Sequence, residues 1–348
     1  MSDRPIIPPG PYVNDLLAQP RAVADTVSSL RNLAPLPNVA QSCTRVVLTG
    51  MGSSLYALHP LQIRCVKAGR TAFMVETSEL IHYMPELLHE ETLVVVVSQS
   101  GRSAETVALL DLIGKRAKRP FVVGVTNTPD SPLAAGADAV VMLKAGPEFS
   151  VSCKTYLATL AALEWVGGAL CGDDLNTIVG ELSEAAGAVE AYLAKRHDHV
   201  QYLCDFLQGL RHLFLTGRGR SLAAVGTGAL ILKESTRFHA EGMSSPAFRH
   251  GPLEMVNPGL RALVFAGDRA TSSLNELLVR DVIAAGGRAA IVGEGAAQPV
   301  FRLPSDLPAR VYLILEMLPV QMMSLALAVI AGREPGVFQH ASKVTVTQ

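Results

Sequence analysis

What the chain lacks limits what it can do. It has no net electrostatic field: 30 lysines and arginines against 31 aspartates and glutamates leave a formal charge of −1 across 348 residues. The basic footprint of a nucleic-acid or acidic-membrane binder is missing, so neither partner is expected, and any anionic ligand must be held by local groups. It has no cysteine framework. Cys43, Cys65, Cys153, Cys171 and Cys204 are odd in number, far apart and without a C-x-x-C pair, which argues against both disulfides and a zinc site. Reduced thiols are the simple reading, and no metal or other cofactor is expected. The opening residues, MSDRPIIPPGPYVNDLL, are polar and proline-rich and lack the apolar core of a signal peptide, so the chain is expected in the cytoplasm. The one membrane-like run, VYLILEMLPVQMMSLALAVIAG at 311–332, carries Glu316, Pro319 and Gln321 near its middle. Each is costly in hydrocarbon, and the run is expected to be a buried helix.

What the chain does have is a repeat. RVVLTGMGSSLYA at 45–57 recurs without a gap as HLFLTGRGRSLAA at 212–224. Farther on, LVVVVSQSGRSAETVALLDLIGKRAKRPFVVGVT at 93–126 has the layout of RALVFAGDRATSSLNELLVRDVIAAGGRAAIVG at 261–293. Each copy reads as buried strand, polar turn, amphipathic helix, stop and buried strand. Continuous valine, isoleucine and leucine runs between helices predict parallel strands covered on both faces. The fold class that follows is α/β, with two tandem three-layer αβα domains built on central parallel sheets. The expected organisation is an N-terminal extension at 1–21, a first domain at 22–170, a helical connector at 171–189, a second domain at 190–332 and a C-terminal tail at 333–348.

Open parallel sheets bind ligands outside the carboxyl ends of their strands. The turns GMGSS and SQSGRS both fall there. The stretch VVVVSQSGRSAETV at 94–107 has no lysine, histidine or cysteine, so it is poorly suited to activating a nucleophile. Gly101 gives the backbone freedom, Ser98, Ser100 and Ser103 supply hydroxyls, and free N–H groups open the next helix. Together these suit a phosphate. A serine-capped helix would look similar in isolation; the neighbouring GMGSS turn tips the reading towards a ligand. Neither turn is a nucleotide loop, because GMGSS lacks a third glycine and no G-K-[ST] occurs anywhere. In the second copy AGDRAT replaces SQSG, and with the hydroxyl cluster gone that copy is expected to lack the phosphate site.

The motifs GMGSS, SQSGRSAET, AGPEFSVSCKTY at 145–156, LKESTRFHAEGMSSPAFRHGPLEMV at 232–256 and the closing SKVTV together resemble the sugar-isomerase (SIS) domain family. The tandem form is similar to the isomerase half of glutamine–fructose-6-phosphate aminotransferases and to stand-alone glucosamine-6-phosphate deaminases, and the fold it implies is flavodoxin-like. The resemblance implies a phosphosugar ligand held by Ser53, Ser54, Ser98, Gln99, Ser100 and Ser103, with Val151 and Ser152 also lining the sugar. It implies that Glu234 moves the proton between C1 and C2 of the open-chain sugar. His250 would assist ring opening from the other subunit of a homodimer with shared active sites, and Lys343 is the tail lysine that can form a Schiff base. The roles are chemically coherent: one carboxylate must serve two adjacent carbons, and a group of tunable pKa must handle the ring-oxygen proton.

Departures from the synthase pattern narrow the activity. Ile231 stands where the synthases have a lysine and Thr227 where they have a glutamate, and the loop at VSCKTY is a residue shorter; relatives place the tail lysine either directly before V-T, as Lys343 is here, or one position earlier, where this chain has Ser342. No glutaminase segment precedes the repeat in this sequence, so ammonia is not expected to be drawn from glutamine. The reading is therefore glucosamine 6-phosphate to fructose 6-phosphate plus ammonia through an enediol or enamine. Alternatives are another aldose–ketose 6-phosphosugar isomerase, a fructosamine-6-phosphate deglycase, or a non-catalytic sugar-phosphate sensor.

Overall fold

A computed structural model describes residues 5–345 and 347. Five parallel strands form the first sheet: β1 (Arg45–Gly50), β2 (Thr71–Glu76), β3 (Thr92–Val97), β4 (Phe121–Thr126) and β5 (Ala139–Met142), in the order β2-β1-β3-β4-β5. Four parallel strands form the second: β6 (His212–Gly217), β7 (Ala240–Ser244), β8 (Leu260–Phe265) and β9 (Arg288–Val292), in the order β7-β6-β8-β9. Every residue of β3 and of β8 is buried. That is why these runs show no polar alternation: helices cover both faces. In each sheet the strand order reverses once, between β1 and β3 and between β6 and β8, and such a reversal opens a crevice at the carboxyl ends.

The chain divides into two compact units. The first-repeat unit comprises residues 21–148, 154–183 and the tail from 340; the second-repeat unit comprises residues up to 20, 149–153 and 184–339. The expected N-terminal extension thus folds with the second repeat up to Pro20. The expected connector changes unit after Ser183, and the expected tail changes unit after Gln339.

In the first-repeat unit, Val47, Val94, Val96 and Val122 from the sheet pack with Leu80, Leu109 and Leu133 from its helices. In the second, Phe214, Leu260 and Val264 meet Phe248, Leu278 and Val282, with Phe214 and Phe248 edge-to-face at 5.0 Å. Each such fully buried apolar side chain contributes roughly 1.5–3 kcal/mol. The apolar run Ala309–Ile330 is long enough to cross a membrane, but 89% of its apolar window is buried inside the fold. Two of its polar members, Gln321 and Ser324, are satisfied internally. Gln321 exchanges side-chain hydrogen bonds with Gln19 at 2.8 and 3.0 Å, and Ser324 lies 3.1 Å from the Tyr12 hydroxyl.

Candidate functional site

In the first-repeat unit two turns flank the strand-order reversal. After β1, Gly52 adopts φ 53° and leads into the short helix Ser53–Tyr56, leaving Ser53 and Ser54 half-buried. Gly50 has no alternative, since a Cβ there would sit 2.9 Å from the Val97 carbonyl oxygen on the adjoining strand. After β3, Gly101 takes φ 60°, and a Cβ on it would run into the Ser131 side chain. The turn is pinned by the Gln99 carbonyl, which accepts from the Asn127 amide at 3.0 Å and the Thr126 hydroxyl at 3.2 Å.

The hydroxyls in this turn are oriented by their acceptor roles. Ser98 Oγ accepts from the Gly101 amide at 3.1 Å, and Ser100 Oγ accepts from the Arg102 amide at 3.2 Å. Each keeps its own hydrogen for an incoming oxygen. Ser103 sits ahead of the helix Ala104–Gly114 and shares a 2.7 Å hydrogen bond with Thr106. The turn thus places hydroxyls beside the N-terminus of a helix, an arrangement that suits a phosphate.

The tail reaches the same unit. The Ala104 amide donates to the Thr345 carbonyl at 3.1 Å, and Lys343 Nζ lies 2.5 Å from Glu148 Oε2. Glu148 is buried, with its side chain fully enclosed, and also accepts from the Thr155 amide at 3.0 Å and the Thr155 hydroxyl at 2.7 Å. It sits at the N-terminal end of the helix Lys154–Cys171, where a carboxylate is favoured by the helix dipole. Glu148 lies inside AGPEFSVSCKTY, yet nothing in that motif alone marks it as the anchor of a lysine 195 residues away.

The acid–base candidates lie in the second-repeat unit. Glu234 is half-buried in the last turn of the helix Leu222–Thr236, which ends at Arg237 in a left-handed conformation, φ 56°. Val151 is buried and Ser152 half-buried in the 149–153 segment of this same unit. That segment is tied to the end of the Glu234 helix through Gly336: the Ser150 hydroxyl donates to the Gly336 carbonyl at 2.6 Å, and the Gly336 amide donates to the Ser235 carbonyl at 2.9 Å. His250 is exposed. It caps the helix Ser245–Arg249, and the following Gly251 turns at φ 149° into Pro252.

So the structure gathers Ser53, Ser54, Ser98, Gln99, Ser100, Ser103 and Lys343 in one unit, and Val151, Ser152, Glu234 and His250 in the other. All five cysteines are free thiols, and among the described residues no group of three His, Cys, Asp or Glu side chains could hold a metal.

The SIS domain family matches this chain twice, over residues 41–166 and 206–331. The chain belongs to the SIS domain family. The two matched stretches follow the two sheets described above. Among its relatives is a glutamine–fructose-6-phosphate aminotransferase (isomerizing) of Pyrococcus horikoshii, 30% identical over 93% of this chain. The chain spans about half the length of such curated relatives, 55% of that one. Two solved structures share the fold. The C-terminal domain of a glucosamine-fructose-6-phosphate aminotransferase from Francisella tularensis superposes with TM-score 0.80 at 23% identity, covering 97% of this chain and 98% of that one. A glucosamine-6-phosphate deaminase from Thermotoga maritima superposes with TM-score 0.79 at 18% identity, covering 97% and 100%. This SIS chain thus has phosphosugar isomerases among its structural neighbours, with the glycine and serine turns at the strand-order reversal of its first copy.

Proposed function

We propose that this SIS protein is a phosphosugar isomerase–deaminase that converts glucosamine 6-phosphate and water to fructose 6-phosphate and ammonia. The observation that carries the reading is the pairing of Lys343 with buried Glu148. A lysine engaged in an ion pair with an enclosed carboxylate is poorly placed to attack a carbonyl, so nitrogen for imine chemistry comes from the substrate, and the proposed substrate is an amino sugar. The relatives named above support the substrate class by their own names.

In the proposed reaction the phosphate is held by the Ser98–Ser103 turn. His250 moves the ring-oxygen proton as the C1–O5 bond breaks and the C1 aldehyde forms. Glu234 then takes the proton from C2 while O1 gains a proton from solvent, giving an enaminol with a C1–C2 double bond. It returns the carbon-bound proton to C1 as the nitrogen gives one proton up to solvent, and the double bond moves to C2 and nitrogen. Water adds at the C2 imine and ammonia leaves, so the skeleton ends as the ketose. No oxidant or reductant enters, and one carboxylate serves both carbons.

The test is ammonia release from a panel of 6-phosphosugars with and without a 2-amino group. Glucosamine 6-phosphate should yield ammonia and fructose 6-phosphate in equal amounts. Ammonia from fructosamine 6-phosphate alone, or aldose–ketose exchange confined to sugars without nitrogen, would replace this reading with one of its neighbours. The same proposal includes a homodimer in which His250 serves the partner's site. Mixing Glu234→Gln with His250→Ala chains should then restore part of the activity, and silence in dimers shown to exchange subunits would assign both residues to one chain's own site.

A further inference from the structure

The second strand-order reversal, where AGDRAT stands in place of SQSG, is not filled. Within the second-repeat unit, the carboxyl ends of β6, β8 and β9 open onto a cavity of about 510 Å³. That is the size of a small-molecule site. Its walls come from Arg220 and Ser221 after β6, Asp268 after β8, Glu294 after β9, and Tyr312 and Glu316 from the Ala309–Ile330 stretch.

Four carboxylates line it, Asp268, Glu276, Glu294 and Glu316, against two guanidiniums, Arg220 and Arg269. Arg220 is already paired with Asp268 at 2.7 Å. A phosphate would meet net negative charge here, the reverse of the first copy. The decisive group is Glu316, a lining residue only 6% exposed, whose Oε1 accepts from the Ser221 hydroxyl at 2.6 Å while Oε2, buried beside it, has no hydrogen-bond partner among the described residues. A buried carboxylate oxygen left without a donor costs stability unless a ligand supplies one. Burial also pushes the Glu316 pKa up to about 7, a cost that a cation next to it would relieve.

The cation is not a metal, since no three His, Cys, Asp or Glu among the described residues converge as ligands. The remaining walls offer hydroxyls at Ser221, Ser272 and Ser305 beside the carboxylates, partners for a molecule with several hydroxyls. We infer that this cavity is a second binding site, for a small polyhydroxylated primary amine without phosphate, its ammonium held on Glu316. This stands apart from the proposed reaction, which uses the other copy's turn and Glu234.

The probe is glucosamine, titrated by calorimetry into the full chain in the presence of saturating fructose 6-phosphate, so that the phosphate turn is occupied. One saturable site per chain is expected, with glucose at least about tenfold weaker because it lacks the ammonium. Glu316→Gln should weaken glucosamine about tenfold or more, and Ser100→Ala with Ser103→Ala should leave it unchanged. Should Glu316→Gln fail to fold, Glu294→Gln, at an exposed position of the wall, reads the same dependence with about a threefold loss. The inference is overturned by absence of saturable glucosamine binding, by equal binding of glucose, by unchanged affinity in the folded glutamine variants, or by loss of binding in the Ser100/Ser103 variant.

Discussion

Glu148 and Glu316 occupy comparable places, each buried just ahead of the last long helix of its repeat, Lys154–Cys171 and Met317–Ile330. They differ in what neutralises them. Glu148 has the Lys343 ammonium and two donors from Thr155, whereas Glu316 has one hydroxyl and an idle oxygen. The duplicated fold has thus kept a buried carboxylate in both copies and placed a cationic side chain in direct hydrogen-bond contact with only one of them. The proposed division of labour follows the same line: in the ungapped register of the repeat Lys67 stands where the second copy has Glu234, so the carboxylate proposed for acid–base work is in one copy and the SQSG turn in the other.

The largest effect expected from this division is on turnover. Glu234→Gln should lower kcat by about 10²–10⁴-fold, the usual worth of a positioned acid–base group, with fructose 6-phosphate affinity by calorimetry unchanged. A variant that keeps wild-type kcat would remove Glu234 from the chemistry and erase the asymmetry between copies. Lys343→Met comes next. It strands a fully enclosed carboxylate, a loss on the order of 3 kcal/mol in urea unfolding, while turnover slows only partly. Adding Glu148→Gln should recover most of that stability, because both charges are then gone. Complete inactivity of Lys343→Met, with a borohydride-trapped sugar on Lys343 in the wild type, would convert this lysine from an anchor into a Schiff-base residue.

Much of this was legible in the chain before any coordinates. The valine-rich strands and the hydroxyl turn are local patterns, each contained within a dozen residues or so, and strand periodicity and turn chemistry are set at that range; the repeat is legible as the recurrence of such local patterns along the chain. The pairings on which the proposed function and the second cavity rest are not local. Glu148 and Lys343 are 195 positions apart, and Ser221 and Glu316 are 95 apart. A glutamate in an apolar run reads the same whether it will meet a lysine, a serine or an empty cavity, so Glu316 was visible as an anomaly and unreadable as a wall. The 149–153 segment is a similar case: its motif is contiguous with Glu148 and Thr155, yet packing assigns it to the other unit.

The third effect sharpens the contrast between the two carboxylates through pH. Glu316 titrates near 7 in the native state, chiefly through burial, with Asp268 pushing the same way and Ser221 and Arg220 opposing; in the unfolded chain it returns to the ordinary glutamate range near 4.5. Between those values the native state keeps a proton that the unfolded state has lost, so stability falls as pH rises from about 4.5 through 7 and levels off above. Two and a half pH units correspond to about 3 kcal/mol. Glu316→Gln should flatten that slope and stabilise the protein at pH 8 by up to about 3 kcal/mol in urea unfolding. An unchanged pH profile would mean that the carboxylate is solvated, and the cavity argument would lose its cation-seeking group.

The smallest effect tests the hydroxyls themselves. Ser100 accepts a backbone amide hydrogen and so retains its own to donate, whereas Thr271 and Ser272, which follow the AGDR segment, lie within hydrogen-bond distance of the carbonyls of Asp268 and Arg269 at 3.4 and 3.3 Å, their hydroxyls donating. The difference between the copies is therefore one of direction and not of hydroxyl count: a phosphate accepts hydrogen bonds, and only the first turn has hydrogens to offer. Ser100→Ala with Ser103→Ala should weaken phosphosugar binding by about 2 kcal/mol, roughly 30-fold at about 1 kcal/mol for each neutral hydrogen bond. Thr271→Ala with Ser272→Ala should leave it unaltered, because those hydroxyls answer to their own helix. Equal losses in both pairs, measured by calorimetry with fructose 6-phosphate, would show that phosphate visits both turns and that the second copy has not given up its ancestral ligand.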